Sequence, residues 1–460
     1  MREPEVEKVT VPGEEPLCRV GIVLEEDQKT IMQANLPPGS YILTDGKRET
    51  SLTSGSSMPL SVKAMEGGVV ALGEEGETLM RSDGFIAVES ADLNKQVAPG
   101  RGMLLKNVVA GRGFHWQKEV DLVFPRRLEF FNRNDRLVVV NVLPMESYLA
   151  CVVTSEMSKE CPAEFIKAQA TAARSWMLVF LRNKHIGEPF TICNDDCCQR
   201  YQGTTFLDES VARATSECSG MCLVTDEGYV CGAYYSKSCG GIMEKAENVF
   251  GATVVGISAD VDAPPDSPTK KFNPVTEDNI REWVTGDIVD ETDSFCSPNV
   301  CPEKALPRYL GAVDEAGSYF RWKVVYNQDE LVQYLSEKAG INDIIEFLGF
   351  KALKRGNSGR IHELQVRYLT SEGDERNRTI RTQYAIRNAL HEKFLFSSAF
   401  VWDYKKGVAG KIKKVTLRGA GWGHGVGLCQ IGALGMSLED YKYEDILKHY
   451  FGGTKLVKAY

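Results

Sequence analysis

The sequence predicts an α+β protein, β-rich in its N-terminal part and mixed thereafter, and three observations carry that expectation. From about Cys18 to Asp135, short apolar runs alternate with clusters of Gly, Pro, Asn and Asp, the pattern of successive strands joined by turns. After Pro162 a helical period sets in, with Ile166, Ala170, Ala173, Met177 and Phe180 recurring at three or four residues. From Arg321 onward, strand-like and helical patches follow one another again.

Taken in order, residues 1–16 hold five glutamates and three prolines without periodicity, which predicts a flexible tail. Residues 17–135 form the expected β-rich N-terminal domain, with runs such as Arg19–Leu24, Gly68–Leu72 and Leu122–Pro125 as strands. Leu137–Leu143 is branched and unbroken until Pro144 and opens a segment spanning 136–258. Within it, Cys161-Pro162-Ala163-Glu164 places proline at a first helical position with an acid in the first turn, so a helix is expected over 162 to about 183. Residues 259–307, rich in Asp, Pro, Ser and Asn, read as an insertion or loop module. Residues 308–460 complete the chain, with patches at Arg321–Tyr326, Asp329–Lys338 and Arg360–Tyr368, a helix at Arg381–Lys393, and a terminal helix at Tyr443–Tyr450 before Gly452-Gly453.

Composition excludes several function classes. The 460 residues carry 54 Lys and Arg against 63 Asp and Glu, a net charge of -9 that repels polyanions and argues against a nucleic-acid partner. No apolar run reaches the roughly 18 residues of a membrane span. The N-terminus has no basic cap followed by an apolar segment, so it does not read as a secretory signal. Walker A, H-E-x-x-H and G-x-S-x-G patterns are missing, and no G-x-G-x-x-G aligns, so no nucleotide cofactor is expected.

Three stretches carry chemistry. Leu417 to Ala433 sets glycine at 419, 421, 423, 425 and 427 around His424, either displaying the imidazole or packing it as a hydrogen-bonded core residue in a tight glycine-rich strand. Asn141 to Met157 carries Glu146 and Glu156. Glu156 falls between a strand and a helix start, where apolar surroundings suit a general acid, although a lone glutamate is usually a surface or capping residue. The helix after it has a small-residue face, Lys167 to Arg174, with Arg174 its polar exception. Cys193, Cys197 and Cys198 offer two or three thiolates to a tetrahedral metal, with His424 or Cys239 as a further ligand; a disulfide or simple buried thiols is the plain alternative. A cysteine nucleophile, Cys239 or Cys198, paired with His424 is a third possibility.

Together these stretches resemble the SpoIID/LytB family, stage II sporulation protein D and the amidase enhancers. The matching blocks come in the family's order: Asn141 through Ser155-Glu156-Met157 to the Lys167–Arg174 helix, Cys193 to Gly203, Tyr234 to Gly251, and Gly421 to Gly427 with Gln430 and the closing Ile446–Tyr450. The resemblance implies a mixed α+β catalytic core with a central cleft, and a lytic transglycosylase cutting peptidoglycan glycan strands, with Glu156 as the catalytic acid. Arg174, Tyr201, Gln202, His424 and Gln430 would position sugar or support the acid. It further implies structural zinc on Cys193 and Cys198, with Cys197 making the set altered or all-thiolate, a cell-wall amidase as partner, and a place in the bacterial envelope, with a cytoplasmic protein as the alternative that the N-terminus raises. The alternative function is a non-catalytic, wall-binding amidase activator. The chain departs from the family where Cys197 replaces a histidine, at Met243 and Phe250 in the third block, and in segment 259–307.

Overall fold

The computed structural model describes residues 8–91, 97–113, 117–286, 292–311, 314 and 317–460, so the first seven residues of the expected tail lie outside them. The fold is α+β, with about 36% strand outweighing 23% helix. Two compact units divide the chain: the first comprises residues 8–222, 308–314 and 457–460, the second 223–307 and 315–456.

The first unit is built on two sheets. One has seven strands in the order β13-β1-β12-β11-β8-β3-β4, formed by Leu17–Val23 (β1), Gly39–Thr44 (β3), Glu49–Ser54 (β4), Phe85–Ser90 (β8), Arg127–Arg133 (β11), Arg136–Pro144 (β12) and Ile192–Cys193 (β13). The other has six, β10-β9-β2-β5-β6-β7, from Ile31–Leu36 (β2), Met58–Met65 (β5), Gly68–Leu72 (β6), Thr78–Ser82 (β7), Met103–Ala110 (β9) and Lys118–Phe124 (β10). Alternating side chains explain why they pack: Leu128, Phe130, Leu137 and Val139, on one face of the first sheet, and Val62, Leu105 and Leu122 of the other are buried. The Asn132 amide crosses between the sheets to donate to the carbonyls of Met65, at 2.6 Å, and Gly68, at 3.0 Å. Between β11 and β12, Asn134 and Asp135 both take left-handed φ (48° and 59°), the two-residue turn whose twist suits a hairpin.

Pro144 ends β12, and the chain passes directly into helix Met145–Glu156 (α1). Helix Ala163–Phe180 (α2) follows within the predicted bounds, and helix Glu209–Glu217 (α3) starts where the Asp208 carboxylate accepts the Ser210 N–H at 2.9 Å. Ala168, Ala170, Ala172 and Ala173 of α2 are all buried, as its small-residue face requires for close packing.

The second unit holds two three-stranded antiparallel sheets, Arg321–Asn327 with Ile412–Ala420 and Phe400–Lys406, and Ile344–Arg355 with Ile361–Thr370 and Glu375–Arg381. Helix Gln328–Ala339, opened by a reciprocal cap between Asn327 and Glu330, packs Leu331 and Leu335 into a core with Trp322, Phe347, Leu364, Ile386 and Leu417. The helix expected at Arg381–Lys393 is shorter, Gln383–Ala389, because Arg381 completes a strand and Thr382 caps the helix through its hydroxyl. Segment 259–307 contributes Phe272, Ile280 and Trp283 to a core shared with Val401 and Ala420. The glycine-rich stretch is a strand only as far as Ala420; a short pair at Leu428–Cys429 and a helix at Gln430–Leu438 follow it. Helix Tyr443–Tyr450 closes the unit with the predicted bounds.

Candidate functional site

Glu156 is the last residue of α1 and is only 7% exposed. Its Oε1 accepts the backbone N–H of Arg200 at 3.1 Å, so the loop after the cysteines holds the carboxyl. The neighbouring Ser155 hydroxyl accepts the Gln202 N–H at 3.0 Å, tying the same loop to the helix end twice. Arg200 in turn divides its guanidinium between Asp196, at 2.7 Å, and Asp314, at 2.8 Å. A charged, braced loop therefore backs the carboxyl.

The other carboxylate of α1 has a different setting. Glu146, in the first turn, receives both guanidinium arms of Arg174, at 2.7 and 2.6 Å, the Tyr460 hydroxyl at 2.5 Å and the Gly220 N–H at 3.2 Å. Burial opposes its charge, but the Arg174 hydrogen bonds and charge outweigh burial and hold Glu146 below the usual carboxylate range. Arg174, expected to position sugar or support the acid, is fully buried, and its guanidinium also donates to the Met221 carbonyl at 2.8 Å.

Tyr201 and Gln202 lie in the same loop as Arg200. Tyr201 is fully buried, donates to Asn141 Oδ1 at 2.6 Å and stacks on Tyr148 with centroids 5.0 Å apart. Gln202 is buried beside α1 through its backbone. Both anchor the loop that reaches Glu156.

Cys193, Cys197 and Cys198 come together with His185, and their donor atoms all lie within 4.8 Å of one another. His185 Nε2 is 3.3 Å from Cys198 Sγ, and the Cys193 N–H points at the same sulfur at 3.4 Å. Hydrogen bonds from Cys193, Cys198 and His185 hold Cys197 well below the ordinary thiol range. Bonding to Cys197 pushes Cys193 up to about 12. Three sulfurs and one imidazole fit a structural zinc, which prefers four such donors in a closed tetrahedron. Arg112 braces the loop from the β-sandwich, reaching Asn194 at 2.7 Å and Asp27 at 2.6 Å.

His424 belongs to the second unit and is half-buried. Its Nδ1 accepts the Val426 N–H at 3.0 Å, and it also bonds to the Tyr235 backbone. Burial, then the Arg360 and Arg387 charges, push the imidazole down to about 3, so it is neutral at physiological pH. The glycines around it have a steric reason. A Cβ at Gly425 would stand 2.4 Å from the Arg360 guanidinium, and one at Gly427 would stand 2.1 Å from the Tyr234 carbonyl. Arg360, fully buried, donates to the carbonyls of Gly423, Cys239 and Ser238 at 3.2 to 3.4 Å and so clamps the ladder. Gln430 is buried at the start of helix Gln430–Leu438. Cys239 joins a separate buried group with Asp262, Cys296 and Cys429.

Sequence reasoning missed Arg200, Asp314, His185, Arg360 and Asp262. The Asp196-x-x-x-Arg200 spacing was the one local signal available; the others meet their partners only in the fold.

Residues 133–224 match the family described as Stage II sporulation protein, and residues 273–427 match a family described as a domain of unknown function (DUF8618). An uncharacterized protein of Brachyspira hyodysenteriae is 26% identical over 334 residues, 72% of this chain and 71% of that one. Stage II sporulation protein D of Bacillus amyloliquefaciens is 24% identical over 323 residues, 70% of this chain and 76% of that one. The amidase enhancer of Bacillus subtilis is 23% identical over 306 residues, 66% of this chain and 39% of that longer protein. Among the described residues, no helix is long and apolar enough to cross a membrane. The stretch that bears Glu156, Arg174 and the thiol cluster is the one the sporulation family matches, and over that stretch the chain is similar to the SpoIID/LytB family.

Proposed function

We propose that the chain acts on peptidoglycan as a lytic transglycosylase, with Glu156 as its general acid and base. The observation that carries this reading is the setting of Glu156: a nearly buried carboxyl at a helix end, gripped by the N–H of a loop that three thiols and two ion pairs hold in place. A protonated Glu156 gives its proton to the glycosidic oxygen as the bond from the muramyl anomeric carbon breaks, freeing the N-acetylglucosamine 4-hydroxyl. The muramyl 6-hydroxyl attacks that carbon and returns its proton to Glu156, closing a 1,6-anhydro ring. The carboxyl ends as it began and no water is consumed, so one acid suffices where ordinary glycoside hydrolysis needs two. The reading requires a cleft that admits a glycan strand to Glu156, and a place in the cell envelope where such strands lie.

His185, Cys193, Cys197 and Cys198 would hold the zinc. When bound, it supplies a cross-link with its sphere closed by protein donors, and no catalysis. The consequence for the acid is positional: fixing residues 193–198 fixes the Arg200 N–H that holds Glu156.

The name of the amidase enhancer relative favours a second reading, in which the chain binds wall glycan and stimulates an amidase. One experiment separates them. Purified sacculi are incubated with the chain, with and without a cell-wall amidase, and the products are read by mass spectrometry. Anhydromuropeptides released by the chain alone, and lost in Glu156→Gln, support the transglycosylase; none from the wild type, with faster amidase release, supports the activator.

A further inference from the structure

In the second unit, four donors from four distant stretches converge on one point, and the proposed chemistry uses none of them. Cys239 follows the Tyr235–Ser236 strand, Asp262 and Cys296 lie in segment 259–307, and Cys429 precedes helix Gln430–Leu438. All four are buried, at 3%, 0%, 3% and 0% exposure, with their donor atoms within 4.8 Å of one another. Cys239 Sγ lies 3.7 Å from Cys296 Sγ and 3.1 Å from Asp262 Oδ2. A tetrahedral zinc with bonds of about 2.3 Å to sulfur sets its sulfurs about 3.7 Å apart, whereas a disulfide needs about 2.05 Å. We propose that Cys239, Cys296, Cys429 and Asp262 form a structural zinc site of three thiolates and one carboxylate.

Its surroundings support the assignment. The outer oxygen of Asp262 is occupied by the Tyr450 hydroxyl at 2.7 Å and by His449 Nε2 at 3.2 Å, which turns Oδ2 toward the thiols as an oriented ligand. Backbone N–H groups aim at the sulfurs: Cys239 and Gly432 at Cys429 Sγ, at 3.2 and 3.3 Å, and Gly241 at Cys239 Sγ, at 3.3 Å. Such donors stabilise thiolate sulfur. Arg360 donates to backbone carbonyls and the Ser358 hydroxyl, and Arg321 to the carbonyls of Gly240, Phe320 and Trp283. Both guanidiniums lie within electrostatic reach of Cys239 and Cys296. Zinc suits this donor set, being borderline-soft and tetrahedral, where calcium and magnesium require oxygen shells. The site staples segment 259–307 to the glycine ladder.

The test uses the full chain purified without chelator. In Cys193→Ser/Cys197→Ser/Cys198→Ser, which removes the other thiol cluster, zinc by elemental analysis stays at one per chain. Tyr450→Phe, which deletes only the hydroxyl bond to Asp262, weakens zinc binding about 10- to 100-fold in a chelator competition. If the triple variant does not fold, alkylation of the wild type read by mass spectrometry replaces it: Cys239, Cys296 and Cys429 are protected as purified and react after chelation. A folded triple variant without zinc overturns the site, whether the thiols are free or joined as a Cys239–Cys296 disulfide. Equal alkylation of those cysteines before and after chelation does the same. Neither result depends on whether the chain cleaves glycan.

Discussion

The two ends of α1 each carry a glutamate, and their settings differ in what they allow. Glu146 at the start is enclosed by a bidentate arginine, a tyrosine hydroxyl and an N–H, with the arginine itself fully buried. A carboxylate so held stays ionised and stabilises the fold. Glu156 at the end faces a backbone N–H from a loop whose own position depends on thiols and ion pairs. The difference teaches that ten residues of one helix separate a structural carboxylate from a candidate acid, and that partners distinguish them where residue type does not.

The sharpest way to break the comparison is to neutralise each glutamate in turn. Glu156→Gln should lower anhydromuropeptide release about 10²- to 10⁴-fold, the usual worth of a general acid. Its melting temperature should stay near wild type in calorimetry. Glu146→Ala strands a buried guanidinium and should cost about 3 kcal/mol in denaturant unfolding, a figure that partial exposure of Glu146 (20%) keeps at the low end. Tyr460→Phe removes one hydrogen bond to that charged group and should cost about 1.5 kcal/mol by the same measurement.

Acid sharpens the same contrast. The folded-state pKa of Glu146 is depressed, so its contribution is complete above the unfolded value of about 4.3 and is lost as pH falls through the lower folded value. The stability gap between wild type and Glu146→Gln should therefore be constant from neutral pH to about 5 and narrow below about 4.3. A gap that widens on acidification would contradict the assigned ion pair.

Legibility in the sequence followed how local each signal was. The break at Pro144 and the helix Tyr443–Tyr450, with Glu444 and Asp445 in its first turn, rest on neighbouring residues and were readable. Helix Gln430–Leu438 was not, because Gly432 and Gly435 lower its propensity. Those glycines answer tertiary needs: a Cβ at Gly432 would meet Asp262 Oδ2 and the Tyr450 hydroxyl at 2.4 Å, and one at Gly435 the Phe295 carbonyl at 2.1 Å. The candidate site divides the same way. Glu156 and the three clustered cysteines stand in recognisable blocks, while His185 precedes its thiols by a stretch with no metal spacing, and Asp314 returns to Arg200 from 114 residues away. Arg174 shows the converse: it stood out only as the polar exception on a small-residue helix face, and the fold pairs it with Glu146.

The account stands most directly on product analysis of purified sacculi treated in parallel with wild type, Glu156→Gln and Glu146→Gln, each normalised to folded protein. It predicts 1,6-anhydro products from wild type and from Glu146→Gln, and their loss in Glu156→Gln with the fold intact. Undiminished anhydro products from a folded Glu156→Gln chain would contradict it.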